Sequence, residues 1–270
     1  MWDKVQETVK YLKNKGIETP DFGIILGTGL GNFTQYIEPI MVIPYGEIPN
    51  FPVSTVQGHH GELVYGKVGD KLVLAMRGRF HYYEGWTMKQ TVFPVRVMKY
   101  LGVEKLIVSN ASGGVNPTYN TGDIMLITDH INMMPEHPLH GANDERFGPR
   151  FLDMHEAYSK DLRKRLEETA KANDIDLQHG VYLALQGPTF ETPAEYAMVK
   201  RLGGDAVGMS TVPEVITANH MGIKCLGLSI ITDLGVEGEV VAVSHEEVQE
   251  VAKLAEKKVG KLVSEFIKNF

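Results

Sequence analysis

The run "GIKCLGLSIITD", residues 222–233, decides the fold. Its apolar residues are consecutive rather than alternating. That pattern marks a strand covered on both faces, as in the sheet of an α/β protein. Five more runs read the same way: "FGIILG" (22–27), "KLVLAMRG" (71–78), "EKLIVSN" (104–110), "DIMLITD" (123–129) and "GVYLALQG" (180–187). The first run also ends abruptly in Thr232 and Asp233, so an apolar strand delivers a carboxylate at its tip.

Helical patterns separate many of these strands. Residues 3–15 place Val5, Val9 and Leu12 on one face, and Gly16 ends the run. Residues 87–101 are helical in pattern, with Pro94 expected to kink or offset them. Residues 159–173 follow Ser159, and further helices are expected over 193–202 and 212–221. Thr192 with Glu195, Thr211 with Glu214, and Ser244 with Glu247 each have capping-box spacing. The last helix should turn Val248, Val251, Leu254, Ala255, Val259, Leu262 and Phe266 inward. Residues 129–157 lack clear periodicity, and so long a loop is usually functional or contacts a partner. The expectation is an α/β fold, a single domain over residues 1–270 with a large mixed central sheet flanked by helices.

Composition narrows the function. The chain has 270 residues and a net charge of -7, which argues against a general nucleic-acid binder but not against a small anionic ligand. Its one cysteine, Cys225, rules out an internal disulfide framework and a cysteine-based zinc site. The first residues, "MWDKVQETVKYLKNKG", are amphipathic with no apolar core of a secretory signal, and no run approaches ~20 apolar residues. A soluble cytoplasmic protein is expected.

Ligands of α/β sheets gather where strands end, so each strand tip is a candidate. "GTGLG" (27–31) can turn backbone N–H groups toward an anion, and Thr28 adds a hydroxyl. Its spacing is G-x-G-x-G, which disfavours a dinucleotide site. In "RGRFHYYEGW" (77–86), Arg79 offers a planar fork for phosphate, His81 works near neutral pH, and Glu84 can orient His81. "VSNASGGVNP" (108–117) permits close backbone approach to a ligand. In "QGPTFETPAEY" (186–196), Phe190 and Glu191 together suit a planar heterocycle, one by stacking and one by accepting hydrogen bonds. Ser210 precedes a helix start, an anion-friendly end. In "SHEEV", His245 sits at another helix start, placed to bond a hydroxyl. His59 and His60 in "QGHHGE" lack metal-ligand spacing, and no metal is expected.

Taken in order, "LGTGLG", "STVQGHHG", "GRFHYYEG", "FPVRV", "SNASGGVNP", "GDIMLITDHIN", "NDERFGPRF", "GPTFETPAE", "DAVGMSTVPEV" and "SHEEV" resemble the trimeric class of purine nucleoside phosphorylases along almost the whole chain. The resemblance implies a nucleoside-phosphorylase-like fold and a homotrimer acting in purine salvage. It implies reversible phosphorolysis of purine nucleosides to free base and (deoxy)ribose 1-phosphate, with phosphate as co-substrate and no cofactor. By position, Thr28, His59, Arg79, His81, Ser210 and the backbone N–H of Ala111 match the phosphate site. Tyr83, Met209 and His245 match the ribose positions, with Phe151 reaching in from a neighbouring subunit. Phe190, Glu191, Val207 and Asp233 match the base pocket. His81, Glu84 and Asp233 are the catalytic candidates.

The chemistry is coherent. N-glycosidic cleavage passes through an oxocarbenium-like sugar. An aligned phosphate can be the nucleophile, leaving the charge on the departing purine to be stabilised.

One position departs from the pattern. The 6-oxopurine enzymes usually carry Asn where this chain has Asp233. An ionised Asp only accepts hydrogen bonds, which suits N7–H and an exocyclic amino group. Glu191 instead suits N1–H of hypoxanthine or guanine. A protonated Asp233 could donate to O6 or pass a proton to N7. The expectation is 6-oxopurine nucleosides first, with some adenosine activity. Alternatives are a methylthioadenosine phosphorylase, a nucleoside hydrolase and a non-catalytic nucleoside-binding protein.

Overall fold

The computed structural model describes residues 1–270 except 29–30, 54–59, 237–239 and 241. Among the described residues, nine strands form one mixed sheet: β1 (Phe22–Leu26), β2 (Glu38–Pro44), β3 (Glu62–Val68), β4 (Lys71–Arg77), β5 (Lys105–Gly114), β6 (Ile124–Asn132), β7 (Gln178–Ala184), β8 (Ala206–Gly208) and β9 (Lys224–Leu234). All six expected strands form. β2, β3 and β8 were not expected. β2 is mostly exposed and bounded by prolines, and β8 is only three residues long.

The sheet order is β2-β3-β4-β1-β5-β8-β7-β6-β9, and β9 also pairs with β5. That last pairing closes β5, β9, β6, β7 and β8 into a ring, with β1, β4, β3 and β2 extending from it as an open wing. β5 is the junction. On one side it pairs in parallel with β9 over its whole length. On the other it pairs with β1 up to Val108, then with β8 only from Gly113. Between these, residues 109–112 have no strand partner on that side among the described residues. The sheet splits there, at a topological switch point where α/β folds bind ligands.

Among the described residues, seven α-helices cover the sheet: α1 (Trp2–Asn14), α2 (Met88–Thr91), α3 (Phe93–Leu101), α4 (Lys160–Ala172), α5 (Pro193–Arg201), α6 (Val212–His220) and α7 (His245–Lys268). Alternate strand residues feed opposite cores. Ile25, Leu74, Met76, Leu106 and Val108 pack with α1, α3 and α6. Phe22, Ile24, Val73, Ala75 and Ile107 pack with α4 and α7. Cys225 is buried as a free thiol. No helix among the described residues is long and apolar enough to cross a membrane.

As expected of Pro94, residues 87–101 are offset into two helices, broken at Val92, and Pro94 sits in the first turn of the second, where its missing N–H costs nothing. Two local expectations need correction. Leu254 is not inward-facing but 82% exposed; Ala252 and Val263 take up core positions of α7 instead. Capping boxes form at Thr192 and Ser244 but not at Thr211, for a reason that lies in the functional site.

Candidate active site

A cleft of about 470 Å³ opens where the sheet splits. Its lining includes Thr28 after β1, Arg79, His81, Tyr83 and Glu84 after β4, and Asn110 to Gly113 on β5. Phe190 and Glu191 before α5, Val207 to Ser210 around β8, Thr232 and Asp233 on β9, and His245 of α7 complete it. The cleft thus gathers every candidate from the sequence except two. His59 lies outside the described residues. Phe151 is 89% exposed and does not line this cleft.

One end of the cleft is built around a buried cation. Arg79 is 1% exposed. Its Nη1 donates to the Ser109 carbonyl at 2.7 Å and to Ser210 Oγ at 3.1 Å. Its Nε donates to Glu214 Oε1 at 3.2 Å, and Nη2 lies 3.2 Å from Glu214 Oε2. Glu214 is itself buried, and burial pushes its carboxyl pKa up while Arg79 pulls it down. Glu214 has capping-box spacing in the sequence, yet its side chain turns inward as the counter-charge of Arg79.

Its expected partner, Thr211, is occupied otherwise. Thr211 has φ 69° and ψ −54°, and Val212 N–H donates to the Ser210 carbonyl at 2.7 Å. This is the rarer, strained form of the γ-turn. Asn110 Nδ2 holds the Thr211 hydroxyl at 2.8 Å, and Ser210 Oγ lies 3.1 Å from it. The turn aims Ser210 into the cleft beside Arg79. Asn110, 2% exposed, went unread in the sequence; its one signal was the short polar run ending an apolar strand.

His81 adjoins this end. Glu84 Oε1 accepts from the His81 backbone N–H at 2.7 Å and lies 3.2 Å from Nδ1. Tyr83 stacks on the imidazole at 4.6 Å between ring centres. Burial lowers the His81 pKa, with Glu84 opposing, so the imidazole is held neutral and donates through Nδ1 to Glu84. At the third corner, the Gln249 amide donates to His245 Nε2 at 2.9 Å.

The opposite end carries two carboxylates. β9 bulges against β5: Ser112 pairs with Ile231 and Gly113 with Asp233, leaving Thr232 without a partner opposite. The bulge re-aims the end of the strand, so Thr232 and Asp233 both line the cleft. Asp233 Oδ1 is 2.9 Å from the Thr232 hydroxyl, and Oδ2 accepts from Tyr196 at 3.0 Å. Burial raises the Asp233 pKa, against these two bonds. Burial also raises Glu191, with Asp233 and Glu195 adding to it, to about 7. Phe190 and Val207 supply apolar surface at the same end.

A fold with this split sheet, and a cleft with hydroxyl, guanidinium and imidazole groups at one end and paired carboxylates with an aromatic at the other, carry the donors that suit an oxyanion and the acceptors that suit a nitrogen heterocycle. Comparison with known proteins narrows the class. Residues 21–268 match the family model described as the phosphorylase superfamily. Purine nucleoside phosphorylase 1 of Geobacillus stearothermophilus is 48% identical over 98% of this chain and 97% of its own. Isoform 2 of purine nucleoside phosphorylase from Schistosoma mansoni, solved with cytosine and ribose-1-phosphate, superposes with a TM-score of 0.95 at 42% identity, covering 100% of this chain and 97% of the other. A Schistosoma mansoni purine nucleoside phosphorylase solved with adenosine gives 0.94 at 37% identity, covering 99% and 97%. The chain belongs to the phosphorylase superfamily and, within it, to the purine nucleoside phosphorylases, which are pentosyltransferases.

Proposed function

We propose that this cleft phosphorolyses purine nucleosides, taking 6-oxopurines first and adenosine second. The observation that carries the reading is the pairing of a buried Arg79–Ser210–His81 end with a Glu191–Asp233 end in one cleft. Phosphate binds at the first end, against Thr28, Arg79, His81, Ser210 and the backbone N–H of Ala111. A neutral His81 that donates through Nδ1 to Glu84 presents Nε2 as an acceptor, which suits the remaining proton of hydrogen phosphate. The ribose lies between, against Tyr83, Met209 and His245. The purine stacks on Phe190 and Val207, with its six-membered ring read by Glu191 and Asp233. Phosphate is a co-substrate, and no cofactor takes part.

The reaction needs no covalent enzyme intermediate. A held phosphate attacks C1′ as the bond to N9 breaks, and the carboxylate end stabilises the purine as N7 gains its proton. The test is cleavage of inosine, guanosine and adenosine with and without phosphate. Turnover should depend on phosphate, and adenosine should trail inosine by less than about 100-fold, or ~2.7 kcal/mol of discrimination. Phosphate-independent turnover would instead make the protein a hydrolase, and adenosine favoured by that factor would reverse the ranking.

The charge on Glu191 gives this ranking a pH dependence. Its pKa is raised from the ordinary carboxyl value to about 7. Above pH 7 it is ionised and accepts from N1–H of a 6-oxopurine. Below pH 7 it is protonated and donates to the bare N1 of adenine. The ratio of kcat/KM for inosine to that for adenosine should therefore rise as pH passes upward through about 7. Phosphate also titrates in this range, but its effect cancels in the ratio. A ratio that stays flat from pH 6 to 8 would remove Glu191 from base recognition.

The active assembly is a homotrimer in which Phe151 completes a neighbour's ribose site. The support is its 89% exposure in a chain whose own cleft it does not line. Phe151→Ala should raise the KM for inosine about tenfold, the loss of one aromatic contact of ~1.4 kcal/mol. Light scattering should read three chains per particle. A fully active monomer would overturn this part of the reading.

A further inference from the structure

Tyr196 does not line the cleft, yet it sits behind both of its carboxylates. It lies on α5 and is 3% exposed. Its hydroxyl donates to Asp233 Oδ2 at 3.0 Å, and the Glu191 carboxylate lies within electrostatic reach of it. The ring is fixed by two glycines. A Cβ at Gly235 would come within 2.1 Å of the ring, and one at Gly113 would lie 2.9 Å from Asp233 Oδ2 and 3.2 Å from the Tyr196 hydroxyl. Tyr196 and Asp233 thus occupy space that only glycine on β5 and just after β9 leaves open.

We infer that Tyr196 is a specificity-determining positioning residue: its hydroxyl donates to Asp233, holds that carboxylate ionised, and leaves to Glu191 the proton that the two carboxylates share. The inference rests on the phosphorolysis reading above. It follows from counting protons. A tyrosine hydroxyl has one, so it stabilises one ionised carboxylate at a time. Two carboxylates facing one ligand in a partly desolvated cleft do not both ionise readily. The geometry gives the Tyr196 proton to Asp233. Among the described residues, Glu195 on α5 adds further negative charge against Glu191. Glu191 is therefore the group that takes the proton.

This arrangement is the one that gives adenosine its share of activity beside the 6-oxopurines, which Glu191 reads when it is ionised. Ionised Asp233 accepts from the exocyclic N–H of adenine, and protonated Glu191 donates to N1. A 6-oxopurine needs the reverse at N1, and gains from a donor at C6. When the shared proton moves from Glu191 to Asp233, Glu191 ionises and accepts from N1–H while Asp233 donates to O6. The place of one proton thus lets a single site read either base.

Tyr196→Phe removes the hydroxyl and keeps the ring in place. Asp233 loses a charge-assisted bond, and the adenosine-to-inosine ratio of kcat/KM should fall about 10-fold or more. In an Asp233→Asn background the same substitution should leave the ratio within about 2-fold, because no charge remains to be held. Equal losses for both nucleosides, or an unchanged ratio, would overturn the inference, since a purely structural tyrosine would act on both alike. Absence of phosphate-dependent turnover in the unmodified protein would be a failure of the phosphorolysis reading instead. The inference is then decided by calorimetry with free adenine and hypoxanthine, where Tyr196→Phe must weaken adenine selectively. An unmodified protein that neither cleaves adenosine nor binds adenine would overturn it outright.

Discussion

Arg79→Met should lower phosphate-dependent turnover by about 10³-fold and stability by ~3–5 kcal/mol. The two losses have different origins. Turnover falls because Arg79 Nη1 is the cation beside Ser210 at the end of the cleft assigned to phosphate. Met has a similar stem but nothing to place against a dianion. Stability falls because Glu214 is 5% exposed and meets Arg79 through both carboxylate oxygens. Removing the guanidinium leaves a buried carboxylate without its counter-charge. The group then either ionises in an apolar setting or takes up a proton, and both cost free energy.

The double variant separates the two effects. Arg79→Met with Glu214→Leu replaces a buried ion pair by apolar side chains of similar size, which is often neutral or stabilising. Its melting temperature should recover most of the loss, while turnover stays low. If turnover returned with stability, Arg79 would serve the fold alone and the oxyanion end would need another cation. If stability failed to return, the defect would lie in packing around the γ-turn at Thr211 rather than in the charge on Glu214.

Much of this site is legible in the sequence because strand tips announce themselves. Apolar runs ending at or just before Arg79, Ala111 and Asp233 mark where a sheet delivers chemistry, and the structure brings all three into one cleft, with Val207 of the unexpected β8. The parts that are not legible depend on contacts far apart in the chain. Glu214 has the spacing of a helix cap, and only the fold reveals Arg79 across 135 residues as its partner. The same spacing gives true caps at Thr192 and Ser244, so local pattern cannot separate the cases.

Tyr196 reads as one apolar position of a helix, and nothing local says that a bulge two strands away turns Asp233 toward it. The open wing is hidden for another reason. β2 lies at the sheet edge with most of its residues exposed, so it lacks the continuous apolar run by which the central strands are known. The break at Val92 follows from local rules, since Pro94 fits the first turn of a helix better than its interior.

Asp233→Asn should cut adenosine cleavage by about 100-fold or more while inosine cleavage holds or rises. The argument is one of donors and acceptors. Asp233 is reached by the hydroxyls of Thr232 and Tyr196, bonds that favour its ionised form even as burial opposes it. An ionised carboxylate accepts from the adenine amino group but sets negative charge against O6 of hypoxanthine. Asn reverses this: its N–H₂ can donate to O6 while its carbonyl accepts from N7–H. The amide also carries no charge, so Glu191 loses the like-charged neighbour that helps raise its pKa. The inosine-to-adenosine ratio of the variant should then hold to lower pH, its inflection moving somewhat below about 7 while burial still keeps Glu191 above the ordinary carboxyl range. Parallel measurements of kcat/KM for both nucleosides between pH 5 and 9 read both effects. An unchanged inosine-to-adenosine ratio would show that Asp233 only braces its strand, and would leave Glu191 alone to read the base.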